Sequence, residues 1–234
     1  MSEPARFSEA KVLLNFAPDI GNALAGVLSA TQALLNGAAS DPVFRTDLLG
    51  DMEANLQYLR FIYENWVVSG SVNVGKLELV RRDLEPSTWL VNFLAAWPQK
   101  ALDKRLRWEA NVHADHPGVR IDRNLVELAL ENLLSVSIAL APARSLVRVS
   151  SGFSREDESI WIEVSDQGPE LSGETLASVL DRPELGRLES PRLKDGRILG
   201  LLVAGAIAQA HGGRLESVNR VEFDCSMRLS LQAV

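Results

Sequence analysis

GRILGLLVAGAIAQAHGGRLES, residues 196–217, reads as a strongly apolar helix from Ile198 to His211, ended by the glycine pair Gly212-Gly213 and followed by a strand that opens at Arg214. Two strands close the chain, Arg214 to Val218 and Val221 to Leu231. His211 reads as a helix-terminal residue whose partial positive charge suits the dipole, and Cys225 as a small buried hydrophobe in an apolar strand. Upstream, 167–196 is polar and holds Pro169, Pro183 and Pro191 with several glycines, turn formers around one short helix from Glu174 to Leu180. Before it, Ser159 to Ser165 is a strand with Ile160, Ile162 and Val164 on one face, and Leu146 to Ser150 is another. Asp122 to Leu140 repeats apolar residues at helical spacing. Leu106, Trp108, Ala110 and Val112 alternate with Arg105, Arg107, Glu109 and Asn111, the pattern of a half-buried strand. Pro86 to Ala101 reads as one helix and KLELVRRDL, 76–84, as one strand. Strands interrupted by helices and closed by a terminal hairpin predict an α+β domain whose sheet carries its helices on one face. Trp89, Trp97, Trp108 and Trp161 belong to its core, because no basic residues interleave with them as in single-strand binders.

The first third follows another pattern. Leu13, Ala17, Ile20, Leu24, Val27, Thr31 and Leu34 form a heptad seam on one long helix, which stops at Asn36-Gly37. Asp41-Pro42 supplies a cap and a first-turn proline for a second helix, with the stripe Phe44, Leu48, Met52, Leu56, Leu59, Ile62 or Tyr63, and Trp66, dissolving in Ser69-Gly70-Ser71. Two such helices form an antiparallel hairpin that encloses too little core alone. A second copy completes a four-helix bundle, so a homodimer is expected. Residues 1–72 are the hairpin and 73–234 the second domain.

Composition removes several function classes. The chain has 234 residues, 46% hydrophobic and 24% charged, with mean hydropathy near zero and no long apolar run, so no membrane role is expected. MSEPARFSEAK lacks an apolar h-region, which predicts a cytoplasmic address. A single cysteine and three scattered histidines exclude metal-thiolate chemistry and make a histidine-rich site unattractive. His113 and His116 lie in a loop beside Asp115, and nothing else converges on them. A net charge of −7 without a basic stripe argues against nucleic acid.

With the segments in this order, the chain resembles the core of a bacterial sensor histidine kinase, a dimerisation hairpin followed by a GHKL-type ATP-binding domain of α/β-sandwich form. Residues 196–217 are similar to that family's second glycine box and the helix behind it. LALENLLSVSIALAP, 128–142, resembles the asparagine box, and IWIEVSDQGPELS, 160–172, the first glycine box. The resemblance implies adenine recognition at Asp166 beside Gly168, a magnesium ligand at Asn132, and phosphate contacts near Gly196 and Gly200. It also implies a phosphoacceptor histidine on the first helix, followed by an acidic residue. Pro18-Asp19-Ile20-Gly21-Asn22 stands there instead, and proline offers no nucleophile. Proline also lacks a backbone donor and crowds the carbonyl of Leu14, so a kink is expected. The second asparagine of the family's pair is Val136, the basic residue after it is Ala139, Glu170 replaces a glycine, and Ile198 replaces the middle glycine of the second box. Valine cannot serve a hard cation, and a β-branched residue resists the close backbone approach a phosphate needs.

Two readings of the surviving residues stay open. Asp166 and Asn132 either retain adenine and magnesium contacts, or Asp166 caps a loop and Asn132 satisfies buried backbone. Asp19 and Asn22, three apart on one helix face, either meet a partner or are solvated. The expectation is a dimeric pseudokinase of two-component signalling, built like the relay histidine phosphotransferases but without their histidine. It would bind a response-regulator receiver domain or a sensor kinase, with no cofactor or at most weak Mg-ATP. The rivals are a phosphatase of receiver aspartyl phosphate acting through Asn22, and a residual ATP-binding kinase.

Overall fold

The structure is a computed structural model, and it describes residues 9–37, 40–114, 117–181 and 195–232. Pro183, Pro191, Asp115 and His116 lie outside these.

Helix α1 (Glu9–Leu35) continues through Pro18 as one helix and ends at Gly37, whose φ of +104° belongs to the left-handed region where a side chain is strained. The Asp41 carboxylate then accepts from the amides of Val43 and Phe44 at 2.9 and 3.2 Å and starts α2 (Pro42–Asn73). The two pack as a hairpin through Ala23 and Ala30, with Asn55 of α2 against Gly26. The predicted seams divide. Part of each stripe turns inward, while Leu24, Phe44, Leu56 and Trp66 are exposed.

Helix α2 outlasts the expected stop. Ser69-Gly70-Ser71 stays helical and the helix runs to Asn73, because Ile62, Asn65, Val68 and Ser69 are buried against the second domain and this burial outweighs poor local propensity. Of KLELVRRDL only β1 (Arg82–Leu84) is a strand, paired antiparallel with β3 (Val119–Ile121), a strand the sequence reading did not foresee. The predicted helix over 86–101 is two, α3 (Pro86–Leu94) and α4 (Trp97–Asp103), because Pro98 can occupy a first turn but not a helix interior.

The main sheet has the order β2-β4-β5-β7-β6, where β2 is Arg107–Asn111, β4 Leu146–Ser154, β5 Ser159–Asp166, β6 Arg214–Ser217 and β7 Cys225–Gln232. β2 lies parallel to β4, and the other neighbours are antiparallel. Val149, Ile162, Val164, Met227 and Leu229 point into a core shared with α5 (Arg123–Leu140), α6 (Gly173–Asp181) and α7 (Asp195–Ala210). The fold is therefore α+β with helices on one sheet face. The opposite face carries Arg148, Trp161, Glu163 and Arg228. Cys225 is buried and its thiol is pushed up to about 12 by that burial. Among the described residues, no helix is long and apolar enough to cross a membrane.

His211 departs from the sequence reading. Its ring is buried; Nε2 accepts from the Asp122 amide at 3.0 Å and Nδ1 lies 2.8 Å from the Ile207 carbonyl, an arrangement that requires a neutral imidazole with its proton on Nδ1. It is no dipole-compensating cation. Burial, opposed in part by the Ile207 hydrogen bond, holds its pKa below the ordinary value of 6.5. The unfolded chain then binds the proton more readily, so stability is lost as pH falls below about 6.5. Thermal melts across that range should show the loss in the wild type and a flatter profile in His211→Gln.

Candidate functional site

Asn132, Val136 and Ala139 recur on one face of α5, and the first two turns of α7 bring Arg197 and Gly200 beside them. Together with Asp19 and Tyr58 of the hairpin they border a cleft of about 590 Å³ between the hairpin and the sheet domain. The cleft joins most of the residues that the resemblance assigns to the phosphate end of a nucleotide site.

Asn132 is 2% exposed, and its Nδ2 donates to Asn65 Oδ1 on α2 at 2.7 Å and to the Leu128 carbonyl at 3.0 Å. A Cβ at position 200 would overlap Asn132 Oδ1, so Gly200 is used here for side-chain packing between α5 and α7. Val136 and Ile198 are both buried among apolar neighbours. Gly196 lies in the first turn of α7.

At the end of β5, Asp166 is 1% exposed. Its Oδ1 accepts from the Gly168 amide at 2.7 Å, the loop-capping role. Gly168 is needed there, because a Cβ would come within 2.5 Å of Asp166 Oδ1 and 3.2 Å of the Leu140 carbonyl. The other carboxylate oxygen, Oδ2, is buried without a well-formed hydrogen bond, as is the nearby Ser137 hydroxyl. Burial pushes the Asp166 carboxyl up, against the Ser137 and Gly168 dipoles. Glu170 stands exposed in the turn that follows.

On the hairpin, Asp19 lines the cleft near Tyr58, whose hydroxyl pKa is raised by burial and then by this carboxylate. Asn22 is exposed and is not among the residues lining the cleft. The structure thus separates a pair that helical spacing alone places together.

Three basic residues at the cleft mouth were missed in the sequence. Lys104 donates to the Ile138 carbonyl at 2.6 Å and also to the Ala139 carbonyl, closing the C-terminus of α5. Burial and the neighbouring Arg197 pull its pKa down. Lys100 lies 4.3 Å from the Trp97 ring centre, and Arg197 reaches the same mouth from α7. The four-residue spacing of Lys100 and Lys104 was the available signal. For the buried Asn65 of α2 there was none beyond an amide on an otherwise apolar stripe.

A family described as histidine kinase-, DNA gyrase B-, and HSP90-like ATPase matches residues 121–233. Sensor protein KdpD of Clostridium acetobutylicum is 24% identical over 210 residues, which are 89% of this chain and 23% of that protein. Histidine protein kinase SaeS of Staphylococcus epidermidis is 24% identical over 227 residues, 95% of this chain and 63% of the relative. The chain thus spans less than two thirds of the length of either. Among solved structures, the Acinetobacter baumannii histidine kinase AdeS has a TM-score of 0.57 at 18% identity, covering 92% of this chain and 97% of that one, a likeness of fold.

Proposed function

Because residues 121–233 belong to the histidine kinase-, DNA gyrase B-, and HSP90-like ATPase family and the chain is built as a sensor histidine kinase core, we propose that it acts in two-component signalling as a dimeric regulator. It docks a receiver domain or another kinase through its hairpin and does not phosphorylate itself. One observation carries this reading: Pro18 stands on α1 where the resemblance places the phosphoacceptor imidazole, and proline has no atom that can take a phosphoryl group.

Mg-ATP fits the site at one end only. The unpartnered Asp166 Oδ2 is an acceptor of the kind an adenine amino group meets. At the other end the Asn132 Nδ2 is committed to Asn65 and Leu128, which leaves its Oδ1 to face a cation, and Val136 and Ala139 bring no further oxygen to it. No step of the proposed function is routed through a nucleotide. The chain's own contributions are a pre-formed helical surface and a rigid sheet domain that fixes its orientation.

The test has three arms. Titration with Mg-ATP should show no saturation below ~1 mM, a binding free energy weaker than about 4 kcal/mol. Incubation with labelled ATP should leave the chain unlabelled. A pull-down against receiver domains of the host should retain at least one. Micromolar ATP affinity with labelling of the chain would sink the reading.

Receiver phosphatase action is the second reading, favoured by the exposed amide of Asn22 next to the vacated phosphoacceptor position. Positioning a water can contribute several kcal/mol to a hydrolysis barrier. Loss of phosphate from a phosphorylated receiver, wild type against Asn22→Ala, decides it: equal rates leave docking alone.

A further inference from the structure

The sheet face turned away from α5, α6 and α7 is overhung by the turn between β6 and β7. Register puts Arg148, Ser150 and Gly152 of β4 beside Ser165, Glu163 and Trp161 of β5 on that face, with Glu109 and Asn111 of the edge strand β2 beside Arg148 and Ser150. The turn folds back over them: Arg220 and Phe223 bridge its ends, Phe223 is buried, and Val221 is fully exposed. It is held unequally. Arg220 makes two hydrogen bonds to the buried Glu163 carboxylate, at 2.8 and 2.7 Å. Glu222, whose side chain is 70% exposed, accepts from Arg148 Nη1 at 2.8 Å. Arg148 Nε donates to Glu109 at 2.8 Å, and the guanidinium lies 4.8 Å from the centre of the Phe223 ring. Between turn and sheet is a cleft of about 480 Å³, with Asn111, Ser150 and Trp161 on its sheet side.

We propose that this cleft docks an extended peptide segment of a partner protein, through an acidic side chain that replaces Glu222 on Arg148. The proposal goes beyond docking at the hairpin, because the hairpin packs on α5 and α7, on the other side of the sheet. An exposed ion pair exchanges for an equivalent one at little cost, while the buried link from Arg220 to Glu163 keeps the turn in place as Glu222 leaves. Departure of Glu222 frees one positive charge, since Glu109 stays on Nε. The guanidinium, already seated against Phe223, then presents a planar fork that matches a carboxylate. A single freed charge suits a carboxylate, whereas a phosphoryl dianion would also meet Glu109. Asn111 offers a donor and an acceptor and Ser150 a hydroxyl for peptide groups, and Trp161 offers apolar surface. The volume is that of an ordinary ligand site, and the cleft opens at Asn111 onto an edge strand along which an extended chain can continue. Glu222-Phe223 is itself such a segment, acidic then aromatic, so the turn displays in cis the chemistry the cleft accepts.

Fluorescence anisotropy of a labelled Phe-Glu-Phe peptide, blocked at both ends, reads the docking in the full chain. Glu222→Gln should bind it about threefold more tightly than the wild type, because the competing carboxylate is gone. Arg148→Ala should bind it at least about tenfold more weakly with melting little changed, and the wild type should bind a Phe-Gln-Phe peptide as weakly. Asn22→Ala should bind as the wild type does. Absence of saturation up to ~1 mM peptide in both the wild type and Glu222→Gln overturns the proposal. So does equal binding of the two peptides, which would reduce the contact to apolar adsorption on Trp161. Binding lost in Asn22→Ala and kept in Arg148→Ala would place the peptide on the hairpin and equally overturn the cleft.

Discussion

Replacing Glu163 by alanine is expected to lower stability by about 3 kcal/mol and the Tm by about 6–12 °C. The side chain is 5% exposed on the sheet face opposite α5, α6 and α7. Arg220 approaches through Nε at 2.8 Å and Nη2 at 2.7 Å, and Arg228 through Nη2 at 2.8 Å and Nε at 3.1 Å. Arg228 in turn lies 4.6 Å from the centre of the Trp161 ring. Removing the carboxylate leaves two guanidinium groups side by side without a counter-charge, which is costlier than losing the bonds themselves. The figure sits at the low end of the range for buried pairs because the Arg220 and Arg228 side chains are 41% and 23% exposed and can regain water. The acid profile follows. Burial pushes Glu163 up, but the hydrogen bonds from Arg220 and Arg228 outweigh it and hold the carboxyl below its ordinary 4.5. Its contribution is therefore complete above about pH 4.5 and fades as pH falls through the folded-state value. Thermal melts of Glu163→Ala and of Arg148→Ala, whose ion pairs with Glu109 and Glu222 are exposed, separate the cases: the second should change stability by less than about 1 kcal/mol. Equal effects would refute the buried-charge argument.

The larger effect on assembly belongs to the hairpin. Leu24→Glu and Leu56→Glu together should weaken self-association by about a thousandfold or more, four apolar side chains per dimer each losing more than ~1 kcal/mol of burial. Leu24, Leu28 and Leu35 on α1, and Leu49, Leu56 and Tyr63 at seven-residue spacing on α2, are all exposed in the single chain. A stripe of that regularity needs a cover, and a second copy with the same stripe supplies one. Ala23 and Ala30, which join α1 to α2, are untouched, so the helical signal and the melting of the sheet domain should remain. Light scattering at micromolar concentration is the measurement. A monomeric wild type would end the four-helix bundle.

How much was legible depended on what each residue answers to. Caps and breakers act locally, so Asp41-Pro42, Gly37 and the Gly212-Gly213 stop were readable from neighbours alone. Strong alternation in 159–165 and strong helical spacing in 122–140 survived into β5 and α5 nearly unchanged. What failed was set by distant partners. Ser69-Gly70-Ser71 stays helical because of α5 and α7, and the three-residue β3 exists because β1 pairs with it. In the site, the residue types at 132, 166, 168 and 200 were visible, but their use was not. That Asn132 faces Asn65 across the hairpin boundary, and that Gly200 accommodates Asn132, are facts of tertiary packing.

The order of strands in the main sheet also constrains how the chain reaches this state. β4 and β5 are joined by a short turn and register residue by residue from Ser154–Ser159 outward, so they can pair as soon as they meet. β2 must wait, because its parallel alignment with β4 is possible only after the intervening β3 and α5 have crossed over. β7 waits longer, since it pairs with β5 only once α6 and α7 have been laid down between them in sequence. Helical hairpins close in microseconds and such long loops far more slowly. In a refolding trace the helical signal of α1 and α2 should accordingly precede the burial of Trp161 under its arginine, and the half-built sheet in that interval would expose the unpaired edges of β4 and β5 to other chains.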